Sequence, residues 1–304
     1  MASRILRDTS RIWLITGTSS GFGKRLVVSA VARGDRVIAT ARSTAKVQEF
    51  VATLKPEARN RIKIVQLDVT DGEDAIKKKV DAMALLWGGI DVLVNNAGFG
   101  LPGLVEEGGS KLLRRQFETN VFGLMDVTTA ALPHLRESTD ACVVVIGSRS
   151  VWTPEIVGLG PYAASKAAVH AFTEALAAEL ATSTANAHIK VLLVQPGGFR
   201  TEGIYGQPYY TTNPIPEYDS VRNASITRFR GVSGTEKGDP DKAAETIVDI
   251  VRREGVTNGR DWPGILILGE DAEVNVRNYC RKVLGVLGGW VDVARGVSFE
   301  KSKL

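Results

Sequence analysis

Ile12-Trp13-Leu14-Ile15-Thr16-Gly17-Thr18-Ser19-Ser20-Gly21-Phe22-Gly23 is the stretch that decides the architecture of this chain. Four consecutive apolar residues read as a strand buried on both faces. A glycine-rich turn follows at once, and Lys24 to Arg33 then takes up helical period. Glycines in such a turn allow a tight bend, close backbone approach to a pyrophosphate and close packing of helix on strand. The helix N-terminus adds free amide donors and a positive dipole end that favour phosphate. A glycine-rich turn alone says little, because glycine also ends strands for steric reasons. Its place between a strand and a helix gives it weight.

Outward from this unit, the same alternation continues to about residue 270. Val37-Ile38-Ala39-Thr40, Ile62 to Leu67, Val92-Leu93-Val94, Cys142 to Ile146, Val191 to Val194 and Ile265 to Leu268 are further short apolar runs. Helical stretches such as Ala163 to Ala181 separate them. Repeated β-α-β units with seven strands predict an α/β fold, a doubly wound parallel sheet. No repeat and no linker rich in Pro, Gly and Ser divides the chain, so residues 1–304 are expected to form one domain. Residues 202–240 break the rhythm. They hold Tyr205, Tyr209, Tyr210, Tyr218 and four prolines with little clear period, and are expected to be a lid or binding loop. Residues 271–304 are expected to be a C-terminal helix and tail. Val274, Val276, Tyr279, Val283, Leu284 and Leu287 place an amphipathic helix over Asp271 to Leu287. It would cover the sheet edge, close the pocket or meet a partner subunit.

Composition narrows the function. In 304 residues, 38 Lys+Arg against 34 Asp+Glu leave a net charge of +4, with 44% hydrophobic and 24% charged residues. These are ordinary globular values, which exclude disorder, collagen-like repeats and coiled coil. No apolar run approaches the ~18 residues of a membrane-spanning helix. Cys142 and Cys280 make no disulfide framework, so a reducing compartment is the default. Two cysteines and three scattered histidines offer no structural metal site. Lys77-Lys78-Lys79 and Arg114-Arg115 are the densest basic runs, but acidic residues are mixed in nearly everywhere. A solvated helix face explains them better than a nucleic-acid surface. His134, His170 and His188 have no motif support and read as surface or packing residues. Residues Met1 to Ser10 carry no apolar h-region of a secretory signal. The chain ends Ser302-Lys303-Leu304, a peroxisomal address read by an import receptor. In a eukaryotic source this predicts a peroxisomal protein, and otherwise a cytoplasmic one.

The spacing Gly17-x-x-x-Gly21-x-Gly23 resembles that of the short-chain dehydrogenase/reductase family. Three further segments carry the resemblance in the family's order. They are Asn95-Asn96-Ala97-Gly98, Tyr162-Ala163-Ala164-Ser165-Lys166, and Pro196-Gly197 with Phe199 and Thr201 beyond it. The resemblance covers roughly residues 11 to 270. It implies a Rossmann-type fold with a seven-stranded parallel sheet and a C-terminal helical extension. It also implies a dinucleotide held by Gly17, Ser19, Ser20, Gly21, Phe22 and Gly23, then by Asn95, Ala97 and Gly98, and by Pro196, Gly197, Phe199 and Thr201. Asp68-Val69 resembles the family's adenine-contacting pair, although Asp68 would equally cap the next helix.

The end of the second strand selects the dinucleotide. An acidic residue there bonds the ribose 2′-hydroxyl of NAD, whereas an arginine accommodates the 2′-phosphate of NADP. This chain reads Ala39-Thr40-Ala41-Arg42-Ser43, with no carboxylate near. Arg42 can make a charge-assisted bidentate contact to phosphate, with Ser43 and Lys24 expected to assist. NADP(H) is the expected cofactor, and such an end resembles the steroid-dehydrogenase branch of the family.

Tyr162 and Lys166 lie four apart, on one face of a helix. A free tyrosine, with a pKa near about 10, is a poor proton carrier at neutral pH, and a nearby ammonium lowers it. In the family's mechanism Tyr162 exchanges a proton with the substrate oxygen. Lys166 tunes Tyr162 and holds the nicotinamide ribose. Ser148 is the expected partner of the substrate oxygen, 14 residues before Tyr162, with Ser150, 12 before it, as the alternative. Asn120, in Glu118 to Gly123, resembles the fourth catalytic residue, which binds a water and continues a proton relay to the lysine. In the family this chain resembles, an Ala-rich helix such as the one after Tyr162 commonly builds the subunit interface, and the resemblance therefore implies a homodimer or homotetramer. The expected activity is NADP(H)-dependent interconversion of a ketone or aldehyde and an alcohol, on an apolar mid-sized small molecule whose pocket Tyr205, Tyr209 and Tyr210 would line. Lipid, steroid-like or polyketide-like compounds fit that description. The rivals are an NAD-dependent alcohol dehydrogenase and a catalytically silent dinucleotide-sensing regulator of the same fold.

Overall fold

The computed structural model describes residues 10–202 and 207–299. Tyr205 and the terminal Ser302-Lys303-Leu304 lie outside the described residues. Strands β1 (Ile12–Ile15), β2 (Arg36–Ala41), β3 (Ile62–Gln66), β4 (Val92–Asn95), β5 (Cys142–Ile146), β6 (Lys190–Pro196) and β7 (Ile265–Leu268) form one sheet in the order β3-β2-β1-β4-β5-β6-β7. Every pairing is parallel. Each apolar run of the sequence is therefore a strand, with ends shifted by at most two residues.

The helices are α1 (Gly21–Ala32), α2 (Ala45–Ala52), α3 (Pro56–Arg59), α4 (Glu73–Leu85), α5 (Val105–Phe117), α6 (Gly123–Arg136), α7 (Gly160–Thr182), α8 (Asp219–Val232), α9 (Pro240–Arg252), α10 (Glu270–Gly289) and α11 (Val291–Gly296). Side chains along each strand alternate between two cores. Ile12, Leu14, Leu93, Val143, Val145 and Leu193 pack with α4, α6 and α7 on one face. Trp13, Ile15, Val92, Val144 and Leu192 pack with α1, α2 and α9 on the other. Two buried faces explain why these strands are unbroken apolar runs, and each buried large side chain contributes about 1.5–3 kcal/mol.

The chain reverses winding between β1 and β4, which are neighbours in the sheet although β2 and β3 intervene in sequence. At such a switch point the loops leaving the carboxyl ends of the strands part and open a crevice. The turns after β1, β4, β5 and β6 all open there.

Residues 202–240 differ from the irregular segment expected. They contain α8, preceded by a short 3-10 turn at Pro216–Tyr218. The helical period escaped notice because α8 buries polar residues. Its inward positions are Arg222, Ser225 and Phe229. Arg222 pairs with the fully buried Glu107 carboxylate of α5 at 2.9 Å and with Asp219 at 2.6 Å. Ser225 Oγ donates to Val157 O at 2.9 Å. The segment's last proline, Pro240, opens α9, where the Asp239 side chain accepts from the Asp241 and Lys242 amides.

The C-terminal helix expected over Asp271 to Leu287 is α10. Its inner half lies on the turn after β5, with the Tyr279 and Trp152 rings 5.5 Å apart, edge to face. Beyond it, Val283, Leu284, Val286, Leu287 and Trp290 are exposed. Among the described residues, no helix is long and apolar enough to cross a membrane. The basic run at residues 77–79 is a paired helix face, with Lys77 on Asp81 at 2.6 Å and Lys79 on Asp71 at 2.7 Å.

Candidate active site

The four turns line one cavity of about 800 Å³. The phosphate-side turn needs its glycines. Gly17 has φ +68°, and a Cβ there would stand 2.8 Å from Ala97 Cα; a Cβ on Gly23 would stand 2.4 Å from Gly17 O. Asn96, to which the motif Asn95-Asn96-Ala97-Gly98 assigns no role by itself, locks this packing. Its side-chain amide donates to Thr16 O and Gly17 O, both at 2.9 Å. Thr16 Oγ1 in turn accepts from the Asn96 and Ala97 amides at 3.0 and 2.9 Å. The doublet Asn95-Asn96 was the available signal: Asn95 Nδ2 turns inward to Thr128 Oγ1 at 2.8 Å, which leaves the second asparagine for the turn.

The first turn of α1 has no side-chain cap at Ser20. Gly21 N instead donates to Glu202 Oε2 at 2.8 Å, and Arg25 pairs with the same carboxylate at 3.2 Å. Partial burial raises the Glu202 pKa, but bonds from Gly21 N, its own amide and Arg25 outweigh this and hold it below the ordinary carboxylate range. A carboxylate thus sits where the helix N-terminus favours an anion.

Gly17, Ser19, Ser20, Gly21, Phe22, Arg42, Asp68, Val69, Ala97, Gly98, Pro196, Gly197, Phe199 and Thr201 all line the cavity. Gly23 and Asn95 do not; they pack behind it. Arg42 is joined by Lys46 rather than by Ser43 or Lys24. Lys24 lies over the Phe50 ring, 5.5 Å from its centroid. Asp68 does not cap α4, which begins after Gly72. It accepts from Thr70 N at 3.0 Å and Thr70 Oγ1 at 2.8 Å, closing the turn after β3. Phe199 meets Phe22 edge to face at 5.2 Å, tying the turn after β6 to the turn after β1.

Ser148, Ser150, Tyr162 and Lys166 come together at the other end of the cavity. Tyr162 and Lys166 occupy the first turns of α7. Lys166 is buried, and its Nζ donates to Ile146 O, the last residue of β5, at 2.7 Å. Burial pulls its pKa down from 10.5 to about 8. Asn120 lies just behind, in a π-helical turn at Glu118–Phe122 between α5 and α6. Such turns break the regular ladder and cluster at functional sites. The Asn120 side chain accepts from Phe99 N at 3.0 Å and donates to Phe99 O at 2.9 Å and Ser165 Oγ at 3.0 Å.

The two candidate serines differ in how they are held. Ser148 Oγ accepts from Ser150 N at 3.1 Å, and Ser148 N donates to His170 Nε2 at 3.2 Å. Ser150 Oγ is buried with no hydrogen-bond partner among the described residues. His170, which carries no motif, is therefore a packing residue that touches the site. A Cβ on Gly147 would stand 2.4 Å from its Nε2, which explains glycine at that position. Burial, and then the charge of Lys166, lower the His170 pKa to about 4, so Nε2 stays a neutral acceptor.

Beyond the serines the cavity wall is Ile156, Leu159, Gln207, Arg228, Phe229 and Val232, the last three from α8. Tyr209 and Tyr210 do not line it. Tyr209 OH bonds Ser225 Oγ at 3.2 Å, and its ring faces a smaller neighbouring cavity. Tyr210 N donates to Pro102 O at 2.7 Å. On this wall the aromatic residue is Phe229, which α8 supplies.

The short chain dehydrogenase family model matches residues 11–205 of this sequence. The chain belongs to that family. An uncharacterised oxidoreductase of Bacillus subtilis, YusZ, is 34% identical over 256 residues, covering 82% of this chain and 88% of that protein. The crystal structure of a short-chain dehydrogenase from Streptomyces avermitilis superposes with a TM-score of 0.81 at 35% identity, covering 96% of this chain and all of that one. A short chain dehydrogenase from Burkholderia cenocepacia, solved in complex with NADP, superposes with a TM-score of 0.66 at 28% identity, covering 87% and 98%. The protein is thus a short-chain oxidoreductase with a Rossmann-type fold.

Proposed function

We propose that this protein is an NADP(H)-dependent oxidoreductase that interconverts a ketone or aldehyde and the corresponding alcohol. The carrying observation is one continuous cavity that joins Arg42, at the end of β2, to Ser148, Tyr162 and Lys166. The glycine cradle fits a dinucleotide, because Cβ atoms at Gly17 and Gly23 would collide with Ala97 Cα and Gly17 O and force the tight turn apart. Gly17 to Gly23 and the α1 N-terminus would hold the pyrophosphate, Arg42 and Lys46 the 2′-phosphate, and Lys166 the nicotinamide ribose. The bound nicotinamide supplies a hydride donor or acceptor. The Burkholderia relative's complex with NADP supports the cofactor choice.

Within that frame the side chains divide the work. Ser148 donates a hydrogen bond to the substrate oxygen. Tyr162 delivers a proton to that oxygen in reduction and removes it in oxidation. Lys166, buried and cationic at neutral pH, favours the Tyr162 phenolate. Asn120 holds the Phe99 backbone and the turn that carries protons onward behind Lys166. Ile156, Leu159, Phe229 and Val232 exclude water around an apolar, mid-sized substrate, with α8 as the lid. Residues 1–304 act as one unit in this account, and α7 builds a homodimer or homotetramer.

Tyr162→Phe tests it. Turnover of any ketone reduced by the wild type should fall by about 10² to 10⁴, while NADPH binding stays within threefold. Retained turnover would remove Tyr162 from its role. Loss of NADPH binding in the wild type itself would favour a different function on this fold.

A further inference from the structure

We propose that Asp271 is a positioning residue that sets the geometry of the reaction from the C-terminal helix, an inference that rests on the oxidoreductase reading above. Asp271 lies in the first turn of α10 yet makes no capping bond to its own helix, whose N-cap is Gly269. Its carboxylate reaches back across the strand ends. Oδ2 accepts from Gly198 N at 2.8 Å and forms an ion pair with Arg149, whose Nε lies 2.9 Å away. Gly198 lies in the turn after β6 between Gly197 and Phe199, both expected to contact the dinucleotide. Arg149 follows Ser148 in the turn after β5. Both turns line the cavity. One carboxylate therefore ties the turn expected to contact the dinucleotide to the turn that carries Ser148.

Two independent features show that the tie is built in. A Cβ on Gly197 would stand 2.0 Å from Asp271 Oδ1, so the missing side chain at Gly197 is the seat of the carboxylate. One level deeper, the same two turns are joined again. Trp152 Nε1 donates to Gln195 Oε1 at 2.7 Å, and the Tyr279 ring of α10 covers the Trp152 ring. The extension thus clasps the exits of β5 and β6 at two heights. Asp271 touches no reacting atom. It acts through the Gly198 amide and the Ser148 turn. A catalytic geometry displaced by about 1 Å can cost about 10²-fold in rate, so loosening this tie should appear in kcat rather than in cofactor affinity.

The test compares wild type, Asp271→Ala and Asp271→Asn. The readouts are NADPH dissociation constants, amide hydrogen exchange of the NADPH-loaded protein over residues 147–153 and 196–200, and kcat and KM for the ketone that wild type reduces fastest in a panel of aromatic ketones. Asp271→Ala should speed exchange in both segments about tenfold and lower kcat by about 10- to 100-fold, with NADPH affinity within threefold. Asp271→Asn, whose amide oxygen still accepts from Gly198 N, should recover most of the lost kcat. Unchanged exchange, unchanged kcat, or equal kcat losses in both variants with a matching fall in melting temperature would overturn the proposal. Should wild type bind NADPH but reduce no ketone, the substrate reading fails, whereas exchange in the two segments still decides the tie.

Discussion

Replacing Lys166 by methionine should stabilise the protein at neutral pH while destroying its activity. Lys166 is 6% exposed, and burial lowers its pKa from 10.5 to about 8. A buried ammonium whose proton affinity falls that far costs the fold roughly 3 kcal/mol at pH 7. Methionine matches the length of the lysine stem and carries no charge. It gives up the bond to Ile146 O, 2.7 Å long in the wild type, and an orphaned buried carbonyl costs about 1–3 kcal/mol. The net expectation is a variant about 1 kcal/mol more stable than wild type at pH 7. The sign reverses with pH. Between about 8 and 10.5 the unfolded chain keeps the Lys166 proton and the folded protein does not. Wild-type stability therefore rises relative to the variant across that window, by roughly 3 kcal/mol in total. Urea denaturation of both proteins without cofactor, each in a Tyr162→Phe background that removes the coupled tyrosine, at intervals from pH 7 to pH 10.5, measures the difference directly, because the remaining titrating groups cancel. A difference that does not change with pH would refute the claim that Lys166 is held as a desolvated ammonium.

Two further substitutions probe the cofactor end and the lid. Glu202→Gln should tighten NADPH binding about two- to fivefold, because the carboxylate on Gly21 N competes with phosphate for the α1 N-terminus; fluorescence titration reads this, and weaker binding would contradict it. Glu107→Ala should destabilise the protein by about 3 kcal/mol, since it removes the buried carboxylate facing Arg222 and leaves only the exposed Asp219 paired with it. The melting temperature should then fall by roughly 10 °C, and KM for the carbonyl substrate should rise as α8 loosens; an unchanged melting temperature would mean the pair is not buried in solution.

The sheet was legible in the sequence because strands covered on both faces admit almost nothing but apolar residues, as in Ile12 to Ile15 and Cys142 to Ile146. The glycine turn, Asn120, Tyr162 and Lys166 were legible because each rests on a local spacing. What escaped lies in contacts between distant segments. The helix α8 buries Arg222 and Ser225, so its inward stripe looks polar until Glu107, far off in sequence, is placed beside it. His170 looked like an unremarkable helix residue, and only the fold brings its ring against Gly147 and Ser148 N. Tyr209 and Tyr210 read as pocket lining from their aromaticity, but the Tyr209 hydroxyl is bonded to Ser225 and the Tyr210 backbone to Pro102. Asp271 sits in an acidic first turn that resembles ordinary helix-dipole compensation, and its hydrogen bond from Gly198 N and its ion pair with Arg149 appear only in three dimensions.

The central claim is that one cavity binds NADPH through Arg42 and presents it to Tyr162. Fluorescence titration with NADPH and NADH, on wild type and on Arg42→Asp, tests it most directly. The account predicts tight NADPH binding and weak NADH binding for wild type, with the preference lost in the variant, since the arginine's bidentate hold on a phosphate becomes a repulsion. Equal affinity for the two cofactors in wild type, or a preference that survives Arg42→Asp, would contradict it.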